Sequence, residues 1–186
     1  MTSNGRGGLR QSSPAEGGAE AASSSGSSHA AASDADWRRC LHEASHGLVA
    51  SVLGVRFIRI HVHEDADHWG QLQGIDVGTD LNAHACVVVA GGVGEKLEFG
   101  DALYAATDLA RAREFAEKVA LDRGEQLVDE TLRLVARILT ARRGELYSIA
   151  STLQARRELT SEEVGAILGT RQRFTNDEIA QIFGGQ

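Results

Sequence analysis

Polar and apolar residues alternate with helical periodicity in one segment within the first third of the chain. Within residues 36–53, His42, His46, Val49 and Leu53 are separated by steps of four, three and four, which places them on one face of a helix. Residues able to cap its start are Ser33, Asp34 and Asp36. Two histidines on an inward face need partners, because unpaired buried polar groups are costly. A metal ion would satisfy both.

The rest of the chain predicts one small sheet among helices. β-Branched residues over 55–63 and a loose alternation over 71–77 are typical of two strands, with acidic residues and glycine between them. The segments with helical periodicity are 81–99, 105–121 and 126–159, the last as one long helix or two consecutive ones. Capping sequences at Thr160 and Thr175 start two short helices. We therefore predict a mostly α fold with a small β-sheet or hairpin.

Composition divides the chain into three parts. Ser, Gly and Ala supply 22 of the first 33 residues, and such a stretch buries too little apolar surface to offset its loss of conformational entropy. We expect a disordered tail over 1–35, one compact domain over 36–170 and a short C-terminal helix or tail over 171–186.

Charge and hydropathy exclude several classes of function. The net charge is −7 and no basic cluster occurs, so nucleic acid is not an expected partner. The longest apolar run, 85–93, is shorter than the roughly 18 residues that a membrane span requires.

Cys40 and Cys86 have neither metal nor redox spacing, and we expect both thiols to pack in the core of a cytoplasmic protein. Cys40 precedes His42 by two residues, which leaves a ligand role as the less favoured interpretation.

The segment His42-Glu43-Ala44-Ser45-His46 has the H-E-x-x-H spacing of zinc hydrolases. Residues four apart lie on one helix face, so His42 and His46 can aim two imidazoles at one metal ion. Glu43 then lies beside the open coordination position, where a general base would act. A surface helix with two solvated histidines is the alternative interpretation.

A catalytic zinc usually takes three protein ligands. The metzincin spacing would require histidine six residues after His46, where Val52 stands, so the third ligand must come from another helix. We expect it to be a carboxylate on an otherwise apolar stripe. Asp108 on the 105–121 helix and Glu95 on the 81–99 helix both meet this condition, and periodicity does not separate them.

In four collinear segments, the chain resembles the peptidase domain of the FtsH-type AAA+ zinc proteases (peptidase family M41). The similar segments are 42–50 with the family's HEAGHALVA, 90–100 with AGRAAEELxFG, 107–112 with NDLxxAT, and 158–164 with ExLTxEE. Together they span about residues 37–168. Three departures are the serine at position 45 in place of glycine, Lys96 in place of the second glutamate of AEE, and a segment before Asp108 that is one residue shorter.

The resemblance implies an α-helical, zincin-like domain in which Asp108 is the third zinc ligand and Glu95 a nearby supporting carboxylate. It also implies self-association as a homo-oligomer. The sequence has neither an ATPase module nor a transmembrane anchor, so we expect ATP-independent hydrolysis by the chain alone, or a separate ATPase partner.

These observations predict a zinc-dependent metalloendopeptidase that acts on polypeptide substrates with Glu43 as general base. The alternative is a non-catalytic zinc-binding regulatory or interaction domain derived from such a peptidase. A second histidine group, His61, His63 and His68, lies among acidic residues; an accessory metal site there is less favoured than solvated side chains.

Overall fold

The computed structural model describes residues 25–63, 70–76, 81–120 and 123–169 of the chain. Within them it has six helices and one three-stranded antiparallel sheet, which confirms the predicted mostly α fold with a small sheet. The helices are α1 (Ser25–Leu53), α2 (Leu81–Phe99), α3 (Ala106–Ala120), α4 (Gly124–Ala141), α5 (Arg143–Arg156) and α6 (Ser161–Leu168). The strands are β1 (Arg59–His61), β2 (Gln71–Gln73) and β3 (Glu158–Thr160). The predicted helix after Thr175 lies outside the described residues.

Helix α1 is the centre of the fold. Every residue from Cys40 to Ala50 is buried, because α2, α5, α6 and the sheet pack around this part of the helix. The helix begins at Ser25, so the predicted start at residues 33–36 is wrong and α1 extends into the segment assigned to the tail. That segment is rich in alanine, the residue with the highest helix propensity, and contains no proline after residue 14.

Helix α2 approaches α1 closely because two of its glycines face the histidine segment. A Cβ at Gly94 would overlap the Ser45 hydroxyl, and a Cβ at Gly91 would overlap the imidazoles of His42 and His46. The Ser45 hydroxyl is occupied locally, since it donates to the Leu41 carbonyl at 2.8 Å. Close helix contact therefore requires the small residues that the sequence places at 91 and 94.

The sheet covers the other side of α1, with strand order β2-β1-β3. Ile60 pairs with Leu72 on one side and Leu159 on the other, so three apolar side chains share the inner face. Ile60 rests on α1 at Gly47, where an added Cβ would lie 3.2 Å from the isoleucine. The sequence did not predict β3, because its three residues directly follow a long helical pattern.

The 126–159 segment forms two consecutive helices, one of the two predicted alternatives, with the break at Arg142. Helix α5 ends at Arg156, and the capping residue Arg157 adopts a left-handed conformation (φ 67°) and forms an ion pair with Asp36 at 2.8 Å. The predicted capping box at the start of α6 is confirmed: the Glu163 N–H donates to Thr160 Oγ1 at 3.3 Å, and the Thr160 N–H donates to the Glu163 carboxylate at 2.9 Å. Within the described part of the chain, no helix has the length and apolarity needed to cross a membrane.

Candidate metal centre

Helix α1 holds the two histidines of the H-E-x-x-H segment one turn apart on a buried face. Their Nε2 atoms lie 3.1 Å from each other, and each residue is at least nine-tenths buried. Two nitrogen lone pairs at this separation, with little access to water, need a shared partner. The predicted common direction of His42 and His46 is therefore present in the fold.

Asp108 brings the third donor atom from α3. Its Oδ2 lies 3.2 Å from His42 Nε2 and 3.4 Å from His46 Nε2. This buried oxygen has no hydrogen-bond partner in the described structure, although both nitrogens are near. Three donors bonded at about 2.0–2.1 Å to one tetrahedral ion would be separated by about 3.3 Å. The observed separations match that value, so His42, His46 and Asp108 could hold a metal ion.

The far nitrogen of each imidazole is held by a hydrogen bond. His46 Nδ1 donates to the Val87 carbonyl at 2.7 Å, and His42 Nδ1 donates to Glu95 Oε1 at 2.7 Å. A carbonyl oxygen only accepts, so the His46 proton must lie on Nδ1. Both Nε2 lone pairs are thereby directed at the group's centre, as metal-binding histidines require.

Glu95, the other carboxylate considered for the third donor, lies behind His42. It is fully buried and accepts the backbone N–H groups of Leu103 at 2.8 Å and Tyr104 at 3.3 Å, while Arg38 lies 3.5 Å away. These partners satisfy a charge that would otherwise be costly to bury. Glu95 therefore orients an imidazole and secures the 103–104 backbone, and it stands outside the three-donor group.

Electrostatics of the group favour a bound cation. Burial by itself lowers the pKa of His42, but the Asp108 and Glu95 carboxylates raise it to about 10. Burial likewise raises the pKa of Asp108, yet the two histidines hold it well below its usual range. Without a metal the group thus retains a proton on His42 at neutral pH. A cation would take the place of that proton.

Glu43 faces the same cavity as the three donors. The residue is 6% exposed, and its buried Oε2 has no hydrogen-bond partner in the described structure. Burial raises the pKa of this carboxyl, partly offset by His46 and His42. Gly70 leaves room for it, because a Cβ there would lie 2.7 Å from Glu43 Oε1. A buried carboxylate that has a raised pKa and one oxygen without a hydrogen-bond partner is suited to accept and return a proton.

The cavity has a volume of about 560 Å³, within the range of ligand sites. Sequence reasoning missed several of its contributors: Gly91, which admits the imidazoles, and the lining residues Arg39, Tyr104 and Arg111. Only spacing could have revealed the arginines, since each lies three residues from a histidine or aspartate of the metal group.

The second histidine group is only partly described. His61 and His63 line the same cavity with ring centroids 4.5 Å apart, whereas His68 lies outside the described residues. Burial lowers the pKa of His61. Cys40 is buried, and burial raises the pKa of its thiol to about 12. Among the described residues, one group of three or more potential ligands forms, and it contains neither Cys40 nor this histidine pair.

Comparison with known proteins does not assign the chain to a family. No family model matches it, and no curated protein matches it significantly. What the group can do chemically follows from its donors, their protonation and the cavity beside them.

Proposed function

We propose that this protein is a zinc-dependent metallopeptidase that hydrolyses peptide bonds in polypeptides. The observation that carries the proposal is the convergence of two imidazole Nε2 atoms and Asp108 Oδ2, 3.1–3.4 Å apart, with the Glu43 carboxylate in the same cavity. Two histidines, one carboxylate and a neighbouring glutamate are the donor set and base of zinc hydrolases.

Zinc is the ion we propose for this donor set, because the H-E-x-x-H spacing is that of zinc hydrolases. Two neutral imidazoles and one carboxylate suit zinc, whereas magnesium and calcium prefer sites made of oxygen donors. When bound, zinc supplies Lewis acidity, which lowers the pKa of a water towards ~7 and polarises a carbonyl. His42, His46 and Asp108 would hold the ion, and Glu95 and the Val87 carbonyl keep both imidazoles in the correct tautomer.

Glu43 is the general base in this proposal. Its carboxylate accepts a proton from the attacking water and then donates that proton to the amine that leaves. Burial supports the role, because it raises the pKa of the carboxyl and so favours the protonated form between the two steps. The unpartnered Oε2 supports it as well, since no group in the described structure competes for that oxygen.

A polypeptide is the substrate class that suits the cavity wall. Strand β2 is an edge strand of the described sheet, and two of its residues, Gln71 and Leu72, line the cavity. An extended chain can add to such an edge through backbone hydrogen bonds, which impose little sequence preference. Gly70, beside Gln71, brings this edge next to Glu43.

The motif resemblance to FtsH-type peptidases supports the same proposal and extends it. By that resemblance the domain works as a homo-oligomer or with a separate ATPase that unfolds substrates. The two cysteines without redox spacing favour a cytoplasmic location. Without such a partner, the chain by itself is expected to act on flexible or unfolded polypeptides.

The test compares the full chain with its Glu43→Gln variant. The wild type, loaded with zinc, should cleave a casein-like substrate, and Glu43→Gln should retain zinc but lose at least about a hundredfold in rate. Glu117→Gln, the same change at an exposed position of α3, is the matched control and should remain active. Zinc binding without any Glu43-dependent cleavage would indicate the alternative, a non-catalytic zinc-binding domain.

A further inference from the structure

The charges lining the cavity are unbalanced once a cation is bound. Among the described lining residues, the charged side chains are Arg39, Glu43, Asp108 and Arg111. A divalent ion offsets the two carboxylates, which belong to the proposed catalytic group. The remaining charges are the guanidinium groups of Arg39, which has Asp36 beside it, and of Arg111.

The two arginines each lie about one helical turn from the metal group, on different helices. Arg39 precedes His42 by three residues on α1, and Arg111 follows Asp108 by three on α3. Residues three apart share a helix face, so each guanidinium belongs to the cavity side of its helix. Arg39 also lies 3.6 Å from Asp36, whose carboxylate is held more closely by Arg157.

Arg111 is the better placed of the two to meet a substrate. The residue is exposed, and no ion pair within the described parts of the chain involves it. By contrast, Arg113, two residues further along α3, lies 3.7 Å from Glu125 and does not line the cavity. Guanidinium groups bind carboxylates through paired, charge-assisted hydrogen bonds.

We propose that the cavity selects polypeptides with a carboxylate close to the bond to be cleaved, and that Arg111 is the main determinant of this preference. The inference rests on the proposed peptidase function and names its substrate class. The carboxylate is either an Asp or Glu side chain or the C-terminus of the substrate, because both present the same group. Apolar lining residues such as Leu72, Ile75 and Leu103 would contact the neighbouring side chains.

The experiment measures peptide binding separately from cleavage. Fluorescent peptides that differ only by Glu, Gln or Lys at one internal position, all with amidated C-termini, are titrated into the zinc-loaded Glu43→Gln protein. We expect the Glu peptide to bind about tenfold more tightly than the Gln peptide, and the Lys peptide to bind most weakly. A fourth peptide, the Gln sequence with a free C-terminal carboxylate, shows which source of carboxylate the cavity prefers.

Substitutions then assign the preference to one side chain. Arg111→Gln should abolish the difference between the Glu and Gln peptides, and Arg111→Glu should reverse the order in favour of Lys. Arg113→Gln is the matched control on the same helix and should leave the preference intact. Zinc content, measured for each variant, shows that the metal group is unchanged.

Two results would overturn the inference. One is equal binding of peptides with and without either kind of carboxylate; the other is a preference that persists in Arg111→Glu. The proposed function has its own separate readout, which is Glu43-dependent cleavage of the same peptides by the wild type. Cleavage without charge preference rejects only the inference, whereas charge-dependent binding without cleavage rejects the peptidase and leaves only the carboxylate preference of the cavity.

Discussion

His42 Nδ1 lies 2.7 Å from Glu95 Oε1, so a carboxylate on α2 sets the direction in which an imidazole on α1 presents its other nitrogen. The same carboxylate accepts the N–H groups of Leu103 and Tyr104, directly before the helix that carries Asp108. Glu95 therefore connects two of the three donors of the metal group through one buried side chain.

Replacing this carboxylate should weaken metal binding without removing a donor. In Glu95→Gln we expect zinc affinity to fall by about tenfold to a hundredfold, because a neutral amide oxygen accepts the hydrogen bond from His42 Nδ1 more weakly than a carboxylate does. Competition with a chromophoric chelator measures the affinity. Glu98→Gln is the control on the same helix, since Glu98 contacts Arg143 and Tyr147 instead. Equal affinities in the two variants would contradict a supporting role for Glu95.

Removing the aspartate donor should have a larger effect. Asp108→Asn keeps the size of the side chain but loses its charge, and we expect zinc to be retained poorly or not at all after dialysis. The measurement is the zinc content of the purified full chain. Asp129→Asn, at an exposed position of α4 beside Arg133, should keep a full complement of zinc. Full occupancy in Asp108→Asn would exclude this residue as a ligand.

Adding a single methyl group beside the imidazoles should also block the site. Gly91→Ala places a Cβ against both His42 Nε2 and His46 Nε2, so we expect loss of zinc binding. Gly144→Ala adds the same group where nothing beyond its own turn of helix lies within 4 Å, and there we expect up to about 0.5 kcal/mol of added stability from helix propensity. Zinc titration measures the loss of binding in Gly91→Ala, and chemical unfolding measures the added stability of Gly144→Ala. Normal zinc affinity in Gly91→Ala would contradict the close approach of α2.

Metal binding should release protons. The pKa of His42 in the metal-free protein is raised to about 10, so this imidazole is protonated at pH 7 and must lose its proton when it binds zinc. Because protons compete with the metal, the affinity should rise as the pH rises from 7 towards 10. Calorimetric titration at pH 7, in buffers with different ionisation enthalpies, should give the release of at least one proton per zinc. Identical heats in all buffers would contradict the prediction.

The capping box offers a prediction on stability alone. Thr160→Ala removes the acceptor for the Glu163 N–H at the start of α6 and should destabilise the fold by about 1 kcal/mol. Urea unfolding measures the change. Thr140→Ala, at an exposed position inside α4, is the control and should be neutral or slightly stabilising, since alanine is the better helix former. Equal destabilisation in both variants would argue against the cap.

Local patterns in the sequence were sufficient for features that depend on neighbouring residues. The four-residue spacing of His42 and His46 places both imidazoles on one helix face whatever else packs there, because the α-helical period is 3.6 residues. The capping box at Thr160 is equally local, and so are the bounds of α2. The mostly α content follows from the same periodicity.

Local sequence patterns did not decide the features that join distant segments of the chain. Periodicity left Asp108 and Glu95 equal as third donors; the motif resemblance favoured Asp108, and the fold places its Oδ2 3.2 Å from His42 Nε2, with Glu95 on the ring's opposite side. Strand β3 was missed because three residues carry too little pattern.

By itself, then, the sequence determined the helical scaffold and the pair of histidines with a glutamate between them. Tertiary structure alone decided why Gly91 must lack a side chain and which arginines line the cavity, and it places beside the histidine pair the carboxylate that the motif resemblance favours. The physical reason is range: helix periodicity and capping act within a few residues, whereas the metal group and its cavity arise from packing between α1, α2 and α3.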